Sequence, residues 1–346
     1  MRELPSITIA TPTLNSAASI GEYAESILLQ EYPPEKIEIV IADGGSGDDT
    51  LEILRAAGFR RLTILQNPLR TGEAGKAVCA KAATGEIIAF IDSDNILPQA
   101  DWLSRMMEPF ADETIIASEP LEYTWRARDG YITRYCALMG MNDPLCFFMG
   151  NYDRYNHISR TWTAARRVEE DKGSYYKVIF KAKDLPTIGA NGFLIRRSLL
   201  EKHGVGEYLF DIDILYDILK NAEDASAAGL PAIAKVKAGI IHLFAGGFKS
   251  FIRKQNRRIR DYDHYRTLGL RTYRWGGSRM MGLALFAGSC LVVLPLFIQA
   301  LVGFARKRDR AWFFHLPACI ATLVIYAAGS LVNRFSRGPL SREQWS

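Results

Sequence analysis

The sequence contains few cysteines, and none of them forms a Cys-x-x-Cys pair. Its five cysteines are scattered through 346 residues, which argues against a disulfide framework or a zinc site and favours a reducing compartment. Glycine and proline, at 28 and 14 residues, are too sparse for a collagen-like or low-complexity chain. No basic and then apolar leader opens the sequence, so we expect no secretory signal. The 48% of hydrophobic residues excludes a disordered chain and allows a sizeable core.

Positive charge is scarce in the first part of the chain and concentrated in the last. Residues 1–248 carry 26 Lys or Arg against 34 Asp or Glu, whereas residues 249–346 carry 17 against 4. The basic part also contains two long uncharged runs, Met280–Ala305 and Ala311–Asn333. Each run exceeds the roughly 20 residues that cross about 30 Å of hydrocarbon as a helix. We therefore expect two transmembrane segments within residues 279–333, with a buried helical hairpin of a soluble protein as the alternative.

A basic connector, residues 306–310, separates the two uncharged runs. A simple hairpin of two spans would place this connector across the membrane from the main domain, against the positive-inside tendency. Pro295 and Pro317 interrupt the helical pattern, which membrane helices tolerate better than soluble ones. A re-entrant first segment that is broken at Pro295 would keep the connector on the near side. The sequence leaves both topologies open.

The first hundred residues alternate between strand-like and helix-like patterns. The second strand-like run is almost continuously apolar, as in a strand that is covered on both faces. The alternation predicts an α/β fold with a parallel sheet and helices on both faces. In such sheets ligands bind beyond the carboxyl ends of the strands. The predicted strands are Ile7–Ala10, Ile37–Ala42, Leu62–Leu65 and Ile87–Ile91, and the predicted helices are Ser19–Gln30, Asp48–Ala57 with Ser46 as its N-cap, and Ala74–Ala83.

Three loops after these strands carry polar side chains that suit a ligand site, Thr11–Asn15, Asp43–Ser46 and Asp92–Asn95. In the third loop Asp92 and Asp94 are two residues apart, so both could face one divalent cation. Oxygen ligands suit Mg²⁺ or Mn²⁺, which usually join protein carboxylates to substrate phosphates. The alternative for this Asp-x-Asp sequence is a solvated turn. The Asp-x-Asp sequence follows a buried strand, at the same edge of the predicted sheet as the two other loops. This position favours the metal site.

Taken together, these residues resemble glycosyltransferase family 2, whose members are inverting, nucleotide-sugar-dependent enzymes with the GT-A fold. The resemblance covers roughly residues 6–260. It implies a Rossmann-like, mostly parallel sheet with helices on both faces, in which residues 1–95 bind the nucleotide sugar and residues 96–245 bind the acceptor. The motifs that carry it are Thr11–Asn15, Ile39–Ser46, Gly85–Asp94, Gly189–Arg197 and Leu209–Ile214.

The resemblance implies a metal-dependent site for a nucleotide-diphosphate sugar. Asp43 would accept a hydrogen bond from the nucleotide base, and Lys76 would contact the base or a phosphate. Asp94 would ligate Mn²⁺ or Mg²⁺ on the diphosphate with Asp92 beside it, and His242 would approach the same metal unless it is a buried core histidine. The residues expected to bind the donor are Thr11 and Pro12, which would line the nucleoside pocket, and Asn15, Asp43, Lys76, Asp92, Ser93, Asn191 and Arg258.

The resemblance also implies a catalytic carboxylate, at Asp211 or Asp213. An inverting transfer displaces the nucleoside diphosphate in one in-line step, so a cation stabilises the leaving group and a carboxylate on the opposite face accepts the proton of the attacking hydroxyl. Asp211 and Asp213 are two residues apart, and if the segment is extended we expect only one of the two carboxylates to face the site. If one of these carboxylates is a base, the acceptor is expected to be a hydroxyl, such as one on a lipid-linked saccharide, because a hydroxyl must lose its proton. If neither is a base, a polyprenyl phosphate is expected, because a phosphate is already an anion.

The segment over residues 246–278 has the pattern of a basic amphipathic helix on anionic lipid headgroups. Its sequence Gln255–Ile259 is similar to the Gln-x-x-Arg-Trp motif of membrane synthases, with Ile259 in place of Trp. Arg258 would then meet a diphosphate, a lipid phosphate or a headgroup. Residues 120–185 are rich in aromatic and basic side chains, for which sugar stacking, lipid contact and ordinary packing are all open. The acidic first part of the chain argues against nucleic acid as a partner.

These observations predict a membrane-attached inverting glycosyltransferase with a cytoplasmic GT-A domain, a lipid-linked acceptor and a polar tail over residues 334–346. A processive membrane polysaccharide synthase is one alternative, although two spans are few for a channel. A catalytically inactive scaffold is another, although the aspartates of the three loops are intact. A nucleotidyltransferase would need a Gly-rich, Arg-containing loop after the first strand, which Thr11–Asn15 lacks. The oligomeric state stays open.

Overall fold

The computed structural model describes residues 4–225, 229–273 and 280–335, with side chains up to residue 329. The chain divides into two compact units. We call residues 1–121 with 166–242 the N-terminal unit, and residues 122–165 with 243–346 the C-terminal unit. The division after His242 lies close to the boundary expected at residue 245. Residues 122–165 of the expected acceptor half, 96–245, pack with the C-terminal part of the chain. The division into donor-binding and acceptor-binding halves stays a prediction.

The described residues contain ten strands in one sheet. The strand order is β3-β2-β1-β4-β9-β6-β10-β8-β7, and β5 pairs with β10. The pairs β1–β2, β1–β4 and β2–β3 are parallel. Strand β9 pairs antiparallel with β4 and β6, and β8 pairs antiparallel with β7 and β10. The strands are β1 Ile7–Thr13, β2 Ile37–Asp43, β3 Leu62–Gln66, β4 Ile87–Phe90, β5 Asn95–Ile96, β6 Ile115–Thr124, β7 Val168–Asp171, β8 Tyr175–Ile179, β9 Phe193–Arg196 and β10 Ala232–His242. The α/β prediction is confirmed, but the mostly parallel sheet is wrong: the sheet is mixed.

Twelve α-helices accompany the sheet in the described part of the chain. Helices α1 to α3 follow the parallel strands as predicted, and Thr71 caps α3 by accepting a hydrogen bond from the Ala74 amide. The predicted cap Ser46 is wrong, since α2 begins after Asp49. The helices are α1 Ala17–Leu28, α2 Thr50–Ala56, α3 Gly72–Ala82, α4 Trp102–Met107, α5 Tyr131–Met139, α6 Leu145–Met149, α7 Arg197–His203, α8 Asp211–Ala225, α9 Phe248–Thr267, α10 Met280–Val292, α11 Leu294–Arg306 and α12 His315–Phe335.

The centre of the N-terminal unit is formed by strands with apolar residues on both faces. Every residue of β4 is buried, and so are six of the seven residues of β1 and of β2. Such strands require cover on both sides. The apolar face of α1 supplies part of it through Ile20, Tyr23 and Ile27. The carboxyl ends of β1, β2 and β4 therefore lie side by side at one edge of a rigid core.

The C-terminal unit has its own aromatic core. Phe314 makes edge-to-face contacts with Tyr135 of α5 and Phe251 of α9, each with ring centroids 5.3 Å apart, and Trp312 is fully buried beside them. Four aromatic residues of the unassigned segment are buried, which favours ordinary packing for them: Tyr123, Tyr135, Tyr152 and Trp162. In helix α9 the apolar residue Phe251 packs in this core, so this side chain is covered by protein and not by lipid. The expected interfacial position of the helix stays a prediction.

The two uncharged runs do not form two straight spans. The first run is divided between α10 and α11, which are bent by 95° at Val293, two residues before the expected break. In the described part of the chain only Arg310–Gly329 is long and apolar enough to cross a membrane as one helix, and 44% of its most apolar window is buried inside the protein. The prediction of two transmembrane helices is therefore not supported. Residues 274–279 and 336–346, which belong to the expected basic segment and polar tail, lie outside the described residues.

Candidate active site

The short strand β5 brings the Asp-x-Asp loop to the end of β10. The antiparallel register pairs Asn95 with His242, and therefore places His242 beside the residue that precedes Asn95. The Nε2 atom of His242 lies 3.4 Å from Oδ2 of Asp94, and both side chains are partly exposed. The predicted proximity of these two residues thus follows from strand pairing between segments that are far apart in the sequence.

The donor set at Asp94 and His242 fits a divalent cation that also has substrate ligands. Two donors on one Mg²⁺-sized ion, each about 2.1 Å from it, lie roughly 3 Å apart, which is close to the observed separation. Within the described residues no three His, Cys, Asp or Glu side chains form a metal-binding group. Protein ligands alone would therefore leave the coordination shell incomplete, as is usual for Mg²⁺ and Mn²⁺ sites that hold a diphosphate.

Asn95 organises this loop, although the sequence analysis did not single it out. Its side chain is fully buried. The Oδ1 atom accepts a hydrogen bond from the Asp92 amide at 3.1 Å, and the Nδ2 group donates to Oδ1 of Asn191 at 3.0 Å. Asn191 is itself buried and has a positive φ of 56°. The predicted donor residue Asn191 therefore supports the Asp-x-Asp loop through Asn95. On the other side, the Ser93 hydroxyl bonds with that of Ser16 at 2.9 Å.

The loops after β1 and β2 are joined by side-chain hydrogen bonds. The Asp43 carboxylate accepts hydrogen bonds from the amides of Gly45 and Ser46 and from the Ser46 hydroxyl, the last at 2.6 Å. The Ser46 hydroxyl accepts one from the Asn15 amide, and Oδ1 of Asn15 accepts one from the Gly47 amide, both at 2.9 Å. This explains why Ser46 is not a helix cap. Asp43 and Asn15 hold the shape of the loop pair at the strand ends.

Thr11 and Pro12 lie in the last part of β1 rather than in a loop. The Thr11 side chain is fully buried, donates a hydrogen bond to the Ile91 carbonyl at 2.7 Å and bonds with the Tyr23 hydroxyl. It therefore ties β1 to the end of β4 and to α1, and its side chain does not face open space. Pro12 is partly exposed and packs against Gly75 of α3, where an added Cβ would come within 2.6 Å of it.

A buried ion pair joins Lys76 of α3 to Asp211 at the start of α8. The Lys76 ammonium donates to Oδ2 of Asp211, and both side chains are about nine-tenths buried. Burial raises the pKa of Asp211 to about 7; the charge of Lys76 opposes this shift, and the charges of Asp92 and Glu73 add to it. Among the described residues, Oδ1 of Asp211 has no hydrogen-bond partner. The site thus contains a carboxyl group that can exchange a proton near neutral pH.

Asp213 also lies in the first turn of α8 and is buried. The sequence analysis treated this segment as extended, whereas the structure makes it helical. Two positions along a helix are about 200° apart around its axis, so Asp211 and Asp213 point in different directions. Which of the two faces the site stays a prediction. Gly189, at φ 128°, approaches Asp211 so closely that a Cβ there would collide with the Cβ of Asp211. Its amide donates to Oε1 of Glu119 at 3.0 Å.

Two further charged residues near these elements were missed. Glu119 of β6 is fully buried and accepts a hydrogen bond from the Lys235 ammonium of β10 at 2.6 Å, so this pair connects the loop at Gly189 to the sheet. Arg70 is exposed at φ 58°, and its guanidinium lies 3.6 Å from the point where a Cβ on Gly45 would be. The only sequence signal for Arg70 was its place in a loop between a strand end and the capped start of α3.

Arg258, by contrast, belongs to the C-terminal unit. Its guanidinium donates to Oε1 of Gln255 at 2.9 Å and lies 3.6 Å from Oδ2 of Asp143. The hydroxyl of Tyr326 in α12 donates to the same Asp143 carboxylate and to Gln255. These contacts give Arg258 a structural role between α9 and α12, while its side chain stays partly exposed. The expected contact with the donor diphosphate therefore stays a prediction.

The N-terminal unit thus combines strand-end carboxylates, a paired His and Asp, and a protonatable buried carboxyl group in a mixed α/β sheet. A family model described as "Glycosyl transferase family 2" matches residues 8–128. This segment contains β1 to β6 and is about a third of the chain, and over it the chain is similar to the family. The mixed sheet with flanking helices is of the GT-A kind.

Individual proteins show the same similarity. The chain is 32% identical over 105 residues to the glycosyltransferase AglE of Haloferax volcanii, covering 30% of this chain and 34% of the relative. It is 42% identical over 94 residues to the UDP-Glc:α-D-GlcNAc-diphosphoundecaprenol β-1,3-glucosyltransferase WfaP of Escherichia coli, covering 27% and 36%. The matched segment therefore spans only about a third of these relatives.

A solved structure extends the likeness in fold. The mannosyltransferase PcManGT of Pyrobaculum calidifontis, determined in complex with GDP-Man and Mn²⁺, superposes with a TM-score of 0.53 at 19% identity, over 94% of this chain and 88% of that one. At this level of identity the likeness concerns the fold.

Proposed function

We propose that this chain is a membrane-associated, inverting glycosyltransferase that moves a sugar from a nucleoside-diphosphate donor to a lipid-linked acceptor. The observation that carries the proposal is that one compact unit contains two side-chain pairs, Asp94 with His242 and Lys76 with Asp211. The charge of Asp92, two residues before Asp94, acts on Asp211. A metal-binding pair and a titratable carboxyl group are the two elements that such a transfer requires.

The donor half of the proposed site lies at the ends of β1, β2 and β4. Asp94 and His242 would hold a divalent cation, Mn²⁺ or Mg²⁺, with Asp92 beside them. When bound, that cation neutralises negative charge on the departing diphosphate. Asp43 and Asn15 would shape the nucleoside side, and the close approach of backbone at Gly44 and Gly45 suits a ligand there. The exposed guanidinium of Arg70 lies next to Gly45 in the loop after β2 and would add to the binding of the diphosphate.

Asp211 is the proposed base. A carboxyl group whose pKa is raised to about 7 is half ionised near neutral pH and can accept a proton from a sugar hydroxyl. Lys76 would keep the carboxylate ionised and oriented toward the site. A phosphate acceptor needs no base, so this arrangement favours a hydroxyl acceptor, such as one on a lipid-linked saccharide. Asp213, with its different direction on α8, would then have a supporting role.

The lipid-linked acceptor and the membrane are proposed from the C-terminal unit. Helix α9 carries seven Lys or Arg residues in 20 positions, and α10 and α11 expose large apolar side chains. This combination suits a bilayer surface with anionic lipids, on the cytoplasmic face if the expected reducing compartment is correct. The name of the relative WfaP includes an undecaprenol diphosphate acceptor, which agrees with this choice.

The test begins with donor binding to the purified full chain. A nucleotide sugar that binds the folded state raises its melting temperature by mass action, and the shift should require Mn²⁺ or Mg²⁺. The donor found in this way is then supplied with lipid extracts that contain saccharide-lipids, and transfer of labelled sugar is measured. The Asp94→Asn variant should lose the metal-dependent shift, whereas Asp101→Asn, which changes an exposed carboxylate, should keep it.

Two outcomes would contradict the proposal. If no nucleotide sugar shifts the melting temperature with either metal, the donor site is wrong. If a donor binds but no lipid extract supports turnover, the chain is better explained as an inactive scaffold that has kept the fold.

A further inference from the structure

The paired helices α10 and α11 expose a continuous set of large apolar side chains. The most exposed is Leu291, at 80% of its full accessible surface. We call this set the apolar ridge; its principal members are Leu285, Leu291, Val292, Leu294, Phe297 and Ile298. An apolar surface of this extent on a chain with a charged exterior elsewhere indicates contact with a membrane or another protein.

The ridge has the shape of a wedge. Helices α10 and α11 have 13 residues each and bend by 95° at Val293. The exposed residues Leu291, Val292 and Leu294 therefore lie at its apex. Each arm is about 20 Å long at 1.5 Å per residue, and a symmetric bend of this angle gives an apex height of about 14 Å. That height matches one leaflet, which is half of the roughly 30 Å hydrocarbon core. It is too short for a span.

Both arms of the wedge return to the C-terminal unit. Near the start of α10, Gly282 packs on the backbone of Phe148, where an added Cβ would come within 2.6 Å of the carbonyl oxygen. Near the end of α11, Gly303 packs against the indole ring of Trp312. The ends of a spanning helix would be separated by the bilayer. Here they pack on the core of the C-terminal unit, as expected for a re-entrant element.

The basic connector after α11 is held on this same core. The Lys307 ammonium lies 5.4 Å from the ring centroid of Trp125, and the Asp309 carboxylate lies 3.4 Å from the Arg134 guanidinium of α5. Arg306, Lys307 and Arg308 are exposed. These cations therefore flank the base of the wedge, where lipid headgroups would lie.

Helix α12 packs along a helix that is too charged to be inside a bilayer. Contacts occur at successively later positions of both helices: Phe251 with Phe314, just before α12 begins, Gln255 with Tyr326, and Ile259 with Gly329. The two helices therefore run in the same direction. Over this stretch α9 carries Arg253, Lys254, Arg257 and Arg258, of which Arg253 and Arg257 are exposed. Such a helix belongs at the headgroup level, and α12 is held there with it.

We propose that the C-terminal unit inserts into a single leaflet of an anionic membrane and that neither uncharged run crosses the bilayer. The apolar ridge enters the acyl chains up to its apex, and the exposed cations of α9 and of the connector bind headgroup phosphates. A lipid leaflet is favoured over a protein partner because the ridge is a protruding wedge with cations at its base, which fits acyl chains below anionic headgroups.

This inference rests on the membrane association in the proposed function. The experiments that test it measure chemical labelling and vesicle binding, and they do not measure turnover. A failure of this inference is therefore distinguishable from a failure of the proposed activity.

The first experiment measures which side of the membrane each segment faces. The full chain is expressed in bacterial inner membranes with single added cysteines, Arg253→Cys, Arg308→Cys or Ser346→Cys, and a membrane-impermeant maleimide is applied to inside-out vesicles and to spheroplasts. The parent chain gives the background of the five native cysteines, four of which are buried. We expect all three added cysteines to react from one side only, the same for each. Reaction of Arg308→Cys or Ser346→Cys from the side opposite to Arg253→Cys would overturn the proposal.

The second experiment measures insertion of the ridge. Sedimentation of the full chain with vesicles of phosphatidylglycerol and phosphatidylethanolamine should show binding that Leu291→Asp weakens at least tenfold. The matched control is Val168→Asp, which places the same charge on an exposed apolar residue of the N-terminal unit and should leave binding unchanged. Unchanged vesicle binding by Leu291→Asp would overturn the proposal. A parent chain that is a dimer in solution, together with a monomeric Leu291→Asp variant, would also overturn it, because a second copy of the chain would then cover the ridge.

Discussion

Removal of the Lys76 ammonium tests the proposed centre most directly. The substitution Lys76→Met keeps a side chain of similar length and removes the charge that faces Asp211. The Asp211 carboxyl group is 9% exposed, so water cannot replace the lost partner. Breaking a buried ion pair from one side costs about 3–5 kcal/mol of unfolding free energy. For a protein of this size each kcal/mol lowers the melting temperature by about 2–4 °C, so we expect a decrease of about 6–20 °C.

The same substitution should change the pH dependence of transfer. In the intact site burial raises the pKa of Asp211 to about 7, and Lys76 opposes that shift. An opposite charge at this range lowers a carboxyl pKa by about 1–3 units, so without Lys76 the acid limb of kcat/KM should move upward by that amount. Stability should depend on pH in the direction opposite to activity. The pKa of Asp211 in the folded protein is raised above its unfolded value of about 4, so its contribution to the unfolding free energy is present at low pH and is lost as pH rises toward 7.

A double-mutant cycle separates these effects from general damage. Thermal unfolding and pH–rate profiles are measured for Lys76→Met, Asp211→Asn and the double variant. At alkaline pH, where Asp211 is ionised in Lys76→Met, the double variant should be more stable than Lys76→Met alone, because no buried charge remains. The control cycle uses the exposed pair Arg197 and Glu201, whose coupling should be below about 1 kcal/mol. Additive effects of the two buried substitutions, with an unmoved acid limb in Lys76→Met, would refute the assignment of Lys76 and Asp211 as a functional pair.

Three further predictions concern the supports of the site. Gly189→Ala should lower kcat at least tenfold, because the new Cβ displaces the proposed base. The control Gly204→Ala, at a positive φ with open space around it, should affect only stability. Equal activities of the two variants would contradict the steric argument. Glu119→Gln should lower the unfolding free energy by about 3–5 kcal/mol, since the buried Lys235 ammonium loses the negative charge of Glu119. A melting temperature within 2 °C of the parent chain, measured by calorimetry, would count against this expectation. Asp94→Asn should lower transfer at saturating donor and remove its response to added Mn²⁺, and an unchanged metal titration would exclude Asp94 as a ligand.

The parallel half of the sheet could be predicted from the sequence because its signals are local. Each apolar run is followed by a turn and a helical pattern within about 20 residues, and the predicted strand starts at Ile7, Ile37, Leu62 and Ile87 are confirmed. The ends are less well predicted. Strand β1 continues through Thr11 and Pro12 because it pairs in parallel with β2 as far as Asp43, and this pairing is not visible in the segment itself.

The antiparallel half could not be predicted, because its pairings join segments that are distant in sequence. Strand β4 pairs with β9 between residues 87 and 196, and local periodicity contains no information about such a partner. The buried pair of Glu119 and Lys235 has the same origin: alone, each charge indicates an exposed position, and only the assembled sheet brings them together. An interruption of the helix near Val293 could be predicted from the sequence, since Pro295 cannot continue the α10 hydrogen bonds.

The site was predicted in part. The sequence placed the polar loops at the strand ends, and the structure brings Asp94 to His242 and Lys76 to Asp211, but these residues' roles stay proposals. What the sequence could not supply is how polar side chains are used within the site. Asp43, Asn15 and Asn191 hydrogen-bond to neighbouring loops, and no motif distinguishes such a support from a ligand contact.

The wedge formed by α10 and α11 has a consequence for the product. With the proposed insertion into one leaflet, the protein would offer no passage to the opposite side, and a saccharide lengthened by the proposed activity would stay with its lipid carrier on the face where it was made. Export of that glycan would need a separate flippase, and the rate at which such a transporter clears the product would limit how often this enzyme meets a fresh acceptor.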